Sequence, residues 1–224
     1  MRTLHHWVLD PFSRQVRIAF AEKGLRVRLK EERVWDGRQD FLALNPAGET
    51  PVLVESGAPR VVIVGARAIL EYLEETKPEP PLLPTGPVER AEARRLADWF
   101  DRKFDAEVNA KLMVEKVDKK LTGQGAPNAR AIRAGHEAMK LHLHYVAQLA
   151  EARGYLAGDR FTIADVAGAA HLSCIDYLGE ADWDAFPMAK AWWRKVRARA
   201  SYKALCEDRV QGLPPSKSYT QQAA

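Results

Sequence analysis

Residues 45–53 read Asn45-Pro46-Ala47-Gly48-Glu49-Thr50-Pro51-Val52-Leu53. Two prolines and a glycine between positions 46 and 51 punctuate the chain as a turn, and the apolar run that follows reads as a strand. Outward from this turn, short runs rich in Val and Leu at 3–9, 26–34, 51–54 and 60–64 are separated by helical patterns at 14–24 and 66–76. The order is β-α-β followed by β-β-α, which makes residues 1–78 an α+β domain.

Residues 77–87 carry five prolines in eleven positions. Each proline fixes φ and removes a backbone donor, so neither a helix interior nor a central strand tolerates that density. Residues 79–87 therefore read as a linker. From Val88 onward the period is helical, with Leu96, Trp99, Phe100, Phe104, Val108 and Leu112 recurring at spacings of three and four, as a helix facing a core requires. Residues 88–211 are expected to form an all-α bundle, and 212–224 a flexible tail. In Thr162-Ile163-Ala164-Asp165 the threonine hydroxyl can cap a helix start while the aspartate reaches back to the threonine amide. That box nucleates a buried helix and is read as structural.

The chain of 224 residues is 46% apolar and 29% charged, an ordinary globular composition. Met1-Arg2-Thr3-Leu4-His5-His6 lacks the apolar run of a signal peptide, and no window approaches the roughly 18 apolar residues that span a bilayer. A cytoplasmic protein is expected. Cys174 and Cys206 are read as packing residues, not as a disulfide framework. The six histidines offer no metal-ligand spacing, so no metal is expected. The net charge of +4 falls entirely in residues 81–224. Lys190, Arg194, Lys195, Arg197, Arg199 and Lys203 run there without an intervening acid, which suits either a solvated helix face or an acidic partner. That balance is too modest to suggest nucleic acid.

The Asn-Pro-x-Gly-x-x-Pro-Val-Leu turn, the proline-rich linker and the Thr-Ile-Ala-Asp box, in that order, resemble the glutathione transferase superfamily over nearly the whole chain. The resemblance implies a thioredoxin-like N-terminal domain followed by the all-α bundle, a homodimer, and a cis bond at Pro51, with the backbone around Thr50 and Pro51 pairing with the cysteinyl part of glutathione. It also aligns Asp10 with the hydroxyl or thiol that activates glutathione at the start of the first helix. A carboxylate there has the wrong sign: at 4 Å and an effective dielectric near 20 it would oppose a thiolate by about 4 kcal/mol. Asp10 followed by Pro11 makes better sense as a helix cap and first helical residue. Ser13 is the one nearby hydroxyl that could substitute as a catalytic group, but at the third helical position it is expected to face solvent or its own backbone. The acid and serine that grip the γ-glutamyl end align with Gly65 and Ala66, which have no side-chain polar groups. Losing two charge-assisted contacts would weaken binding by on the order of 10² to 10⁴-fold.

Within the superfamily the chain is similar to the FzlA-type group, transferase-like bacterial cell-division proteins that bind FtsZ. Leu9-Asp10-Pro11-Phe12-Ser13-Arg14, Val34-Trp35-Asp36, Asp98-Trp99-Phe100-Asp101-Arg102-Lys103-Phe104, Val114-Glu115-Lys116, Gly123-Gln124-Gly125-Ala126-Pro127, Ala170-His171-Leu172-Ser173 and Gly212-Leu213-Pro214-Pro215 carry that likeness. It implies a non-catalytic protein without a glutathione cofactor, which binds FtsZ filaments and acts at the division site through Trp35, Glu115 and the end of the tail. Arg33, Asp36 and Arg38 around Trp35 suit an exposed aromatic anchor. The alternative is a ring packed on the helical domain. Glu115, among Lys116, Asp118, Lys119 and Lys120, reads more simply as a solvated helix end. The tail from Ser216 keeps only Tyr219 of the acidic and aromatic ending the group leads one to expect. The competing reading is a glutathione-dependent transferase or reductase that acts on small electrophiles through Ser13.

Overall fold

The computed structural model of the chain describes residues 1–220 and divides into two compact units, Met1–Leu82 and Leu83–Ala224. The first unit follows the order β1 (Arg2–His6), α1 (Pro11–Glu22), β2 (Arg28–Glu31), a 3₁₀ turn (Val34–Asp36), α2 (Gln39–Leu42), β3 (Val52–Glu55), β4 (Val61–Val64) and α3 (Ala66–Thr76). Its sheet runs β2-β1-β3-β4. β1 is parallel to β2, with Thr3 opposite Arg28, and antiparallel to β3, with Leu4 opposite Leu53. The strand period of two sends Leu4 and Leu53 to one face and the His5–Val52 pair to the other. On that second face Phe41 packs against Val52 and Val54, and His5 stacks on its ring at 5.7 Å.

β1 ends at His6, three residues earlier than its apolar run, because the chain turns there: the Asp10 amide donates to the Trp7 carbonyl at 3.2 Å. The next residues start α1 with Asp10 as cap and Pro11 in the first turn, where the missing proline donor costs nothing. The Thr50–Pro51 bond is cis.

The second unit is helical: α4 (Pro87–Asp98), a π-wound segment (Trp99–Asn109), α5 (Ala110–Met113), a second π segment (Val114–Asp118), α6 (Lys119–Thr122), α7 (Ala129–Arg153), α8 (Ile163–Leu178), α9 (Pro187–Arg197), α10 (Ala200–Cys206) and α11 (Lys217–Thr220). Phe100, Phe104, Val108 and Leu112 are fully or almost fully buried, each contributing about 1.5–3 kcal/mol relative to exposure. α8 is buried on nearly every residue, so its start cannot rely on water for its unpaired amides. The capping box supplies partners: Ala164 N donates to Thr162 Oγ1 at 3.2 Å and Thr162 N to Asp165 at 3.0 Å. Asp165 also accepts from Leu156 N at 3.0 Å and Trp192 Nε1 at 2.9 Å, so the box ties the loop before α8 and helix α9 to the helix start.

Residues 212–220 correct the expectation of a loose tail. Tyr219 is completely buried, edge-on to Tyr177 at 5.0 Å, and its hydroxyl donates to the Leu205 carbonyl. Tyr177 in turn donates to Leu213 O at 2.7 Å, and Arg197 donates to the carbonyls of Ser218 and Tyr219. An aromatic ring that buries this fully outweighs the polar composition of its neighbours. Cys174 and Cys206 are free thiols.

Candidate functional site

The start of α1 gathers the first three site residues. Asp10 accepts from Phe12 N at 3.1 Å and Ser13 N at 3.1 Å, the pattern of a helix cap. Its Oδ2 also accepts from the Ser13 hydroxyl at 2.6 Å and from the Thr50 hydroxyl at 2.7 Å. Burial pushes the Asp10 carboxyl above its ordinary range, opposed by the two hydroxyls and the two amides. Ser13, expected to face solvent or its own backbone, does not face solvent: the residue is fully buried, and its oxygen accepts from Trp7 N at 3.3 Å. It faces inward because β1 turns back over the helix start.

These contacts decide what the position can do. A hydroxyl has one proton to donate, and those of Ser13 and Thr50 both go to Asp10. Neither is left to stabilise a thiolate, and the group that receives them is itself an acid.

Pro51, Gly65 and Ala66 form the next stretch of the site, joined by a bond from Gly65 N to Pro51 O at 3.0 Å. Gly65 precedes α3 with φ +86° and gives that helix no side-chain cap. A Cβ there would meet no neighbour within 4 Å, so backbone conformation is what calls for glycine. Ala66 is buried. No side chain at either position can hydrogen-bond an α-amino or α-carboxylate group. The residues that the resemblance aligns with a glutathione site therefore lack the side-chain groups that would hold the charged end of glutathione.

The expected partner contacts fall in separate surroundings. Trp35 lies in the 3₁₀ turn, 37% exposed, its ring edge-on to Trp7 at 4.8 Å. It is braced within its own unit and still offers a face to a partner. Arg38 holds the same loop, donating to both oxygens of the buried Glu32 at 2.9 and 3.1 Å. Glu115 is not a solvated helix end: it is buried and accepts from Asn128 N and Lys119 Nζ, both at 2.6 Å. Those two donors hold its carboxyl below its ordinary range, Lys119 foremost. The buried Tyr219 ring is a clasp for the tail; the end of the tail, 221–224, lies outside the described residues.

The basic run is largely engaged internally. Lys190 pairs with Asp184, Lys195 lies over the Tyr155 ring at 3.6 Å and Arg199 over Phe161 at 4.1 Å, and Arg197 holds the tail. The buried His142 and His171 each meet a carboxylate, Glu107 at 3.0 Å and Asp101 at 3.1 Å respectively. Among the described residues no three His, Cys, Asp or Glu side chains are grouped to hold a metal ion, and no helix is long and apolar enough to cross a membrane.

Residues 4–81 match the family model for the glutathione S-transferase N-terminal domain, and residues 126–200 match that for the C-terminal domain. The chain belongs to the glutathione S-transferase family. Within it, the chain is 51% identical over 219 residues to FtsZ-localized protein A of Caulobacter vibrioides (strain NA1000 / CB15N), covering 97% of this chain and 96% of that one. Among solved structures it superposes on FzlA from C. crescentus with a TM-score of 0.95 at 50% identity and 97% coverage of both chains. It also matches a glutathione S-transferase from Rhodospirillum rubrum F11, with a TM-score of 0.96 at 44% identity and 99% coverage of both.

Proposed function

We propose that this protein is a non-catalytic member of the glutathione S-transferase family that binds FtsZ filaments and supports bacterial cell division. The observation that carries this reading is the closed network at Asp10: the hydroxyls of Ser13 and Thr50 are spent on a carboxylate at the position where glutathione would be activated. The likeness over almost its full length to a relative named for localising with FtsZ supplies the partner. The competing transferase reading needs Ser13 as its activating hydroxyl, and the complete burial of that residue counts against it.

Trp35 is the anchor of the filament contact, a large ring half open to solvent and held in place by Trp7. Glu115 acts by holding the segment around Asn128 in shape. The protein works as a homodimer at the division site, with an assembled mass of twice 25.1 kDa; light scattering after size exclusion tests that directly.

Co-sedimentation with polymerised FtsZ at low salt is the deciding experiment. Wild-type protein should pellet with filaments, and Trp35→Ala should weaken binding by at least about tenfold, a typical interface hot-spot loss. Calorimetry on the same sample should give no heat with millimolar glutathione. Wild-type protein that stays in the supernatant, or a saturable glutathione isotherm, would overturn the reading.

A further inference from the structure

The first unit carries a basic surface that the Trp35 contact does not use. Strand β2 is at the edge of the sheet and, among the described residues, pairs with β1 alone. One side of its backbone therefore presents amides and carbonyls that no ladder occupies. Arg28 and Lys30 alternate along it and share one face, and Arg26 precedes the strand by two residues. Arg26 and Arg28 are exposed, and neither side chain has a hydrogen bond or ion pair with another described residue.

Both arginines line an open cleft of about 710 Å³, together with Met1, Arg2, Glu55 and Ser56. The acid in this cleft is already taken: Glu55 accepts from Arg2 Nε at 2.5 Å and from the Tyr72 hydroxyl at 2.8 Å. Its charge does not reach Arg26 or Arg28 as an ion pair, so the cleft stays positive. The acid on β2 itself, Glu31, is paired with Arg33 at 3.4 Å and shares the opposite face with Leu29, which is 44% exposed. One face of the free edge is thus cationic and the other presents an uncovered apolar side chain.

We propose that the free edge of β2 receives an extended acidic segment of a partner protein, which adds to the sheet as a further strand. Its backbone completes the ladder, alternate carboxylates meet Arg26, Arg28 and Lys30, and an apolar residue on its other face covers Leu29. Charged residues on an edge strand can also serve only to keep two sheets apart. Two arginines without partners at one end of the strand, beside a cleft, go beyond what that protection needs. The proposal does not depend on which partner Trp35 meets.

A fluorescently labelled alternating peptide of four Glu-Val repeats is the probe, titrated into the full chain by anisotropy and by amide chemical shifts in ¹⁵N-labelled protein. Saturable binding is expected, with the shifts centred on residues 26–31. The double variant Arg26→Gln/Arg28→Gln should weaken it by about tenfold; circular dichroism will show whether the variant stays folded, and the shift map on wild-type protein needs no variant at all. A Lys-Val peptide and a proline-interrupted Glu-Val peptide should fail to bind, because the first reverses the charge and the second cannot complete the ladder. Shifts centred elsewhere, no saturable binding, or equal binding of oligo-dT or of the interrupted peptide would each overturn the proposal. The last two would reduce the surface to general attraction for polyanions.

Discussion

Two aspartates, one in each unit, receive nearly the same set of donors. Asp10 accepts from the amides of Phe12 and Ser13 and from the hydroxyls of Ser13 and Thr50. Asp165 accepts from the amides of Leu156 and Thr162, the Thr162 hydroxyl and the Trp192 indole. Both cap a helix, and burial raises both carboxyls above their ordinary range. They differ in surroundings. Asp165 is completely buried under a helix with no free face, whereas Asp10 is only half-buried, at the start of α1. The chemistry that closes the structural hub is the same chemistry that closes the start of α1. On the function proposed above, giving the hydroxyls of Ser13 and Thr50 an acid to hold retires that position without damage to the fold.

The comparison predicts a large difference in cost. Asp165→Ala strands the Leu156 and Thr162 amides and the Trp192 indole in a dry interior, at about 1–3 kcal/mol each. Their shared surroundings make the sum less than additive, so the loss should be on the order of 4 kcal/mol in urea unfolding. Asp10→Ala strands amides at a helix start that water can partly reach, and about 1–2 kcal/mol is expected, the ordinary range for a lost cap. If the two variants lost equal stability, the contrast between the buried hub and the half-buried cap would fail.

Much of this contrast was legible in the sequence. Asp10-Pro11 announces a cap, and Thr162 and Asp165 announce a capping box, because both signals lie within one turn of helix. Residues brought together by the fold were not legible. Thr50 donates to Asp10 across 40 positions, and Ser13 turns inward because of the Trp7 amide in another element. Glu115 looked solvated among its lysines, but its partner amide belongs to Asn128, thirteen residues on. In the tail, average polarity hid the one ring that decides its position; the Gly212-Leu213-Pro214-Pro215 turn ahead of Tyr219 was the available signal.

A smaller effect sharpens the comparison through pH, because each unit also buries a histidine. For His142, burial pushes the imidazole below its ordinary value near 6.5, against the opposing pull of Glu107. Its Nδ1 accepts from Trp99 Nε1 at 3.0 Å; an indole nitrogen can only donate, so Nδ1 carries no proton, and Nε2 donates to Glu107 at 3.0 Å. His5 is lowered by burial as well, against Glu32, but its Nδ1 meets only that carboxylate, at 3.4 Å. A folded state that binds the proton less readily than the unfolded chain is stabilised above the unfolded value, and that stabilisation is lost as pH falls below it and through the lowered folded value. Unfolding free energy should therefore fall between about pH 7.5 and pH 5.5, the range that brackets the ordinary histidine value. His142→Gln should remove more of that fall than His5→Gln, because protonating His142 breaks the indole bond whereas protonating His5 strengthens its contact with Glu32. Equal flattening by the two variants in denaturant titrations at both pH values would mean that burial alone, and not the closed indole bond, sets the difference between the units.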